Sequence, residues 1–152
     1  MVGITSFRQL ETWQEAHKLV LMVYRVTADF PPDERFGLVS QMRRAAASVP
    51  ANIAEGFKRR GVQDKIRFYN VAEGSLEELK YFILLSHDLG YIAIAQTTDQ
   101  ATAQTTDQAT DQATDQTTAH VPGQITAQDL TLQSETVGRL LNGLINSTER
   151  RK

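Results

Sequence analysis

The chain has 152 residues, no cysteine and a formal net charge of −2, enough for one domain with a real core and incompatible with a disulfide framework or a thiolate metal site. Its longest apolar runs, Leu19 to Tyr24 and Tyr81 to Leu85, fall far short of the roughly 20 residues a membrane-spanning helix needs, and no basic-then-apolar leader opens the sequence. Residues 96–124 hold four acids and no Lys or Arg, which leaves 16 basic and 14 acidic residues elsewhere, a mild excess rather than that of a dedicated nucleic-acid binder.

The three-four spacing of Phe7, Leu10, Trp13, Ala16, Val20, Val23 and Thr27 predicts a first helix over 6–29, with Thr5 or Ser6 as its cap. Pro31-Pro32 ends it, because the residue before a proline is pushed out of the helical region. The second helix, 35–58, carries the stripe Leu38, Met42, Ala45, Val49, Ile53 and Phe57, and its Ala45 to Ser48 run is small enough for another helix to come close. The stripe keeps its phase across Pro50, which predicts a kinked helix rather than two. Asn52 or Ser48 is expected to supply a donor for the carbonyl that Pro50 frees near Ala46.

Lys58, Arg59 and Arg60 suit the negative end of the second helix dipole. A third helix over 63–89 follows from Ile66, Tyr69, Ala72 or Glu73, Leu76, Leu79, Ile83 and Ser86, stopped by Gly90. Phe68, Phe82 and Leu85 widen its stripe to more than one neighbour. Folding the second helix back on the third sets Ala47 opposite Gly74-Ser75 and Arg43 and Arg44 near Glu77 and Glu78, which predicts an interhelical ion-pair cluster.

Residues 96–124 repeat TDQ, every four residues in the later copies, and offer no apolar face. They are expected to form a disordered loop, an expansion that the logarithmic growth of loop-closure entropy tolerates. A fourth helix over 126–149 starts at Thr126 with Asp129 in a capping-box arrangement and buries Leu130, Val137, Leu140, Leu141, Leu144 and Ile145. The expectation is a single all-α domain over 1–152, an antiparallel up-down-up-down four-helix bundle.

Enzyme constellations are missing from the sequence. The residues three before His17, His87 and His120 are Gln14, Leu84 and Thr117, so the Glu-x-x-His signature of di-metal bundles is absent. No Gly-rich phosphate loop or nucleophile elbow occurs. Glu55, Glu73, Glu77 and Glu78 read more economically as partners of Arg43 and Arg44 than as acid-base pairs. No enzyme activity, cofactor, metal or small-molecule substrate is expected, and the lack of cysteine and leader points to the cytoplasm by default. Lys58, Arg59, Arg60, Lys65 and Arg67 gather around the second turn with Phe57, Phe68 and Tyr69 interleaved. Taken alone, that patch reads more readily as a solvated turn with helix-terminal cations than as a set of phosphate contacts.

The segments FRQLETWQEAHKLVLMVYRVTADFPPDERFGLVSQMRRAAASVPANIAEGFKR and FYNVAEGSLEELKYFILLSHDLGYI resemble the four-helix-bundle proteins of intervening sequences in 23S ribosomal RNA genes, also labelled S23 ribosomal protein-like. The resemblance covers about residues 6–95 and, more loosely, the fourth helix, with Gln41 to Gly56 and Ala72 to Leu79 as its specific motifs. It extends to the accessory variability determinant of diversity-generating retroelements, which resembles a barrel-shaped homopentamer binding a reverse transcriptase and nucleic acid through a basic surface. What the resemblance implies is a homo-oligomer, pentameric by analogy, without enzyme activity. Arg43, Arg44, Asn52, Glu55, Gly74, Ser75 and Glu78 match the family pattern and, with Pro50 and Glu77, are expected to be bundle and interface determinants. The TDQ-rich insertion departs from that pattern. The functional expectation is a homo-oligomer binding structured RNA or a ribonucleoprotein through Lys58, Arg59, Arg60, Lys65 and Arg67, with avidity from repetition. The alternative is a protein-interaction scaffold, such as an accessory subunit of a reverse transcriptase, that does not touch nucleic acid.

Overall fold

Four α-helices and three short 3₁₀ turns make up the secondary structure of the computed structural model, which describes residues 3–93 and 123–150. No strand occurs among the described residues, so the fold is all-α. The expected loop over 96–124 falls, up to residue 122, outside the described residues, as does His120.

The first helix starts later than the spacing predicts. Ser6 caps a 3₁₀ turn, Phe7–Gln9, accepting from the Arg8 N–H at 3.3 Å while the Gln9 side chain accepts from the Ser6 N–H at 3.0 Å. Leu10 is then extended, and helix α1 runs from Glu11 to Val26. A second 3₁₀ turn, Thr27–Asp29, closes it, so the single helix over 6–29 is in fact three pieces. The Thr27 hydroxyl donates to the Val23 carbonyl at 2.7 Å, a local bond that competes with regular helix.

Helix α2 spans Leu38–Lys58, starting three residues beyond the expected 35. The intervening chain forms a 3₁₀ turn, Pro32–Glu34, and the Glu34 carboxylate caps α2 by accepting from the Leu38 N–H at 2.9 Å. The helix continues through a buried Pro50. Asn52 does not reach toward Ala46; its amide donates to the Ser48 carbonyl at 2.8 Å and to the Ser48 hydroxyl at 3.0 Å.

Helix α3, Val62–Asp88, buries Ile66, Tyr69, Ala72, Leu76, Leu79, Ile83 and Ser86. It ends on Gly90, whose φ of 75° is left-handed. The Tyr91 N–H bonds the Ser86 carbonyl at 2.9 Å and the Gly90 N–H bonds that of His87 at 2.8 Å, a Schellman closure that glycine permits without strain. Tyr91 then stacks obliquely on Phe30 and donates to Glu34, while Ile92 enters the core.

Helix α4 covers Ala127–Glu149. Thr126 and Asp129 form a full capping box: the Asp129 N–H donates to the Thr126 hydroxyl at 3.2 Å, and the Thr126 N–H to the Asp129 carboxylate at 2.9 Å. Because Thr126 is buried, Thr126→Ala should lower stability by about 0.5–2 kcal/mol, read as a shifted urea midpoint. An unchanged midpoint would mean that the cap is redundant with the packing of α4.

Contacts join α1 to α2, α2 to α3, α3 to α4 and α4 back to α1, so one core lies between all four helices. Leu19, Met42, Ile53, Leu76, Leu79, Leu130 and Leu141 are its largest fully buried side chains. Along α2, Met42, Ser48 and Gly56 meet Ser86, Ser75 and Tyr69 of α3 in turn, descending one helix while ascending the other.

Candidate nucleic-acid interface

The connection between α2 and α3 is tight because two backbones close together just before it. A Cβ on Gly56 would lie 2.6 Å from the Tyr69 ring and 3.2 Å from the Lys65 carbonyl oxygen. Only a glycine leaves that space, and it sets the turn that gathers the cationic side chains.

Three of the five predicted cations are already engaged. Lys65 donates to the Phe57 carbonyl at 2.8 Å, covering the C-terminus of α2, and its ammonium lies 5.7 Å from the Phe57 ring centroid. Arg59 pairs with Glu55 and, at 3.7 Å, with Asp64. Arg67 takes the same Asp64 at 3.1 Å. Both guanidiniums sit over Phe68, at 4.5 and 4.8 Å from its centroid, so that ring is not a free platform for a base. Lys58 and Arg60 remain exposed and form no ion pair among the described residues.

The cluster predicted for Arg43, Arg44, Glu77 and Glu78 does not form. Arg43 instead turns toward α1, donating to the Thr27 hydroxyl at 2.9 Å and lying 4.7 Å over the Tyr24 ring. Arg44 reaches Gln41 on its own helix, and Glu77 pairs with Lys80 one turn on. Glu78 is exposed. Each neighbour is one helix step away from the buried stripe, and that step of about 100° carries the arginines and glutamates to different sides of the bundle.

Ala47 and Gly74 are likewise exposed, and a Cβ on Gly74 would touch nothing. The polar crossing lies beside them: Ser48 and Ser75 hydroxyls meet at 2.8 Å. Since Ser75 donates to the Val71 carbonyl at 2.9 Å, its single proton is used and Ser48 is the donor between the pair. Asn52, Ser48, Ser75 and Val71 therefore form one directional chain of hydrogen bonds joining α2 to α3. Glu55 is taken up by Arg59.

Two surfaces went unread in the sequence. Arg35, Arg43 and Arg44 line a groove with Tyr24 and Phe36, and among the described residues no carboxylate lines it. Phe36 is 87% exposed, beside the Arg35 guanidinium; the adjacency of Arg35 to Phe36 was the available signal. On the other side, Leu84 and Leu132 stand exposed along the α3–α4 groove, with Tyr81 exposed nearby on α3. Among the described residues no cluster of three or more His, Asp or Glu could hold a metal, and no helix is long and apolar enough to cross a membrane.

A family model described as 23S rRNA-intervening sequence protein matches residues 8–111. The chain belongs to that family. Among solved structures, one similar to this intervening-sequence protein is a protein of unknown function from the S23 ribosomal protein family of Bacteroides thetaiotaomicron. The two superpose with a TM-score of 0.60 at 17% identity, over 88% of this chain and 97% of that one, a likeness that shows the fold alone. No curated protein matches the chain. The comparisons indicate no enzymatic family or fold.

Proposed function

We propose that this intervening-sequence protein is a non-enzymatic, homo-oligomeric, cytoplasmic bundle that binds structured RNA or a ribonucleoprotein at the α2–α3 turn. The observation that carries this reading is that Lys58 and Arg60 stand exposed at the turn with no ion pair among the described residues, while Arg59 and Arg67 use Glu55 and Asp64. Two uncommitted cations per chain are weak alone, since each phosphate contact adds only one increment of salt-dependent affinity. Repeated around an oligomer they gain effective concentration instead of new contacts. Self-association would use the exposed Leu84 and Leu132 side of the α3–α4 groove, leaving the turn open.

The geometry also sharpens the test. Arg59, Lys65 and Arg67 hold the turn together, so their removal would confuse folding with binding. Lys58→Ala with Arg60→Ala spares those contacts and should weaken retention of structured RNA at low salt, reducing the slope of log K against log salt by about 2. Size exclusion with light scattering, run with and without RNA, checks both assembly and binding. Wild-type binding that is insensitive to salt, or unchanged in the double variant, sinks the RNA assignment.

A second reading is favoured by the neutralisation of Arg59 and Arg67 by acids. It makes the bundle a protein scaffold or accessory subunit docking through the same apolar α3–α4 side. Its sign would be an association with another protein that survives high salt, in a protein that ignores RNA.

A further inference from the structure

We infer that the cleft at the end of the bundle beside the α2–α3 turn receives an unpaired nucleotide of the bound RNA. This rests on the RNA-binding reading above and specifies what that surface recognises.

The cleft has a volume of about 660 Å³, within the roughly 300–1,000 Å³ typical of small-ligand sites. Leu10 before α1, Phe57 on α2, Tyr69 on α3 and Leu144 on α4 all border it, so it opens into the end of the core rather than onto one helix face. Ser147 and Thr148 line it too, and because their hydroxyls donate to the Leu144 carbonyl at 3.0 and 2.7 Å their oxygens remain as acceptors. Arg60, which forms no ion pair among the described residues, also stands at the cleft.

Tyr69 supplies the decisive detail. The residue is 2% exposed, yet its hydroxyl has no hydrogen-bond partner among the described residues. No fully enclosed polar side-chain atom goes unpaired there either, so this hydroxyl must reach open volume, and the cleft is the volume it lines. Burial raises the phenol above its ordinary value of 10.0, which keeps it protonated and able both to donate and to accept.

These walls have mixed chemistry. A lipid tail would be favoured by uniformly dry surfaces, whereas a base needs apolar surface against its faces and hydrogen-bonding groups at its edge. Leu10, Leu144 and Val62 provide the first, and Tyr69, Ser147 and Thr148 the second. Arg60 then meets the backbone phosphate of the same nucleotide. The paired stem would lie against the exposed turn at Lys58, and an unpaired base would leave the stack to enter the cleft.

The test compares two RNA hairpins of the same stem, one fully paired and one carrying a single bulged nucleotide, by titration at low salt. Wild-type protein should bind the bulged hairpin about tenfold more tightly or better. Tyr69→Phe, which removes only the unpartnered hydroxyl, should cut that preference by about 2- to 10-fold, the range of one neutral hydrogen bond. Ser147→Trp, made at an exposed position, should fill the cleft and erase the preference while paired-hairpin binding persists. Equal wild-type binding to both hairpins, or a preference untouched by either variant, overturns the cleft assignment and leaves RNA binding standing. Failure to bind either hairpin overturns both.

Discussion

Leu76→Ala should destabilise the bundle by about 2–5 kcal/mol, a large share of the ~5–15 kcal/mol that holds a domain of this kind. Leu76 is fully buried near the middle of α3, and its Cδ2 lies only 3.6 Å from where a Cβ on Gly138 of α4 would stand. The truncated side chain would therefore leave a void between α3 and α4. Ala72 on the same stripe has nothing with which to refill it. Urea unfolding should show a lower midpoint with an unchanged slope, because the same surface is exposed on unfolding. A loss below about 1 kcal/mol would show that the helices collapse inward and that this layer is not rigidly packed.

Gly56→Ala should also destabilise, against the intrinsic preference of a helix. In an exposed helix interior the change would be favourable by about 1 kcal/mol. Here the added methyl would lie 2.6 and 2.9 Å from two ring atoms of Tyr69 and 3.2 Å from the Lys65 carbonyl oxygen. The Lys65 carbonyl belongs to the α3 backbone and cannot turn aside as a side chain can, so overpacking of about 1–3 kcal/mol outweighs the propensity gain. Gly74→Ala provides the contrast, since its Cβ meets nothing and should stabilise by up to about 1 kcal/mol. Thermal melts of the two variants should move in opposite directions; two upward shifts would refute the close approach at Gly56.

What could be read in advance was what depends on a few neighbouring residues. The α3 stripe from Ile66 to Ser86, the Gly90 stop and the Thr126–Asp129 box each follow from spacing or cap chemistry within one or two turns. The break at Leu10 was not readable, because the apolar spacing runs through it unchanged while a local capping box closes the preceding turn. The side of the helix on which a partly exposed cation lies was lost as well. Arg43 follows Met42 by one residue, yet Met42 meets Ser86 of α3 while Arg43 reaches Thr27 after α1. The same limit explains the turn: Lys58 to Arg67 read as one patch, but only the fold shows Asp64 shared between Arg59 and Arg67 and Lys65 spent on the Phe57 carbonyl. The cleft at Tyr69 had no sequence signal, since its walls come from four separate segments.

The hydrogen bond from the Ala127 N–H to the Ala93 carbonyl, 3.0 Å long, holds together the two described stretches that flank the TDQ repeats in sequence. With Ile92 buried before it and the Thr126 cap after it, the gap is closed by the core itself. Each doubling of the intervening length then adds only about 0.6 kcal/mol of closure entropy. Gain or loss of a four-residue unit is a still smaller increment, nearly invisible to the stability of the whole. On this ground the stability of the bundle sets little limit on how many TDQ copies stand between Ala93 and Ala127.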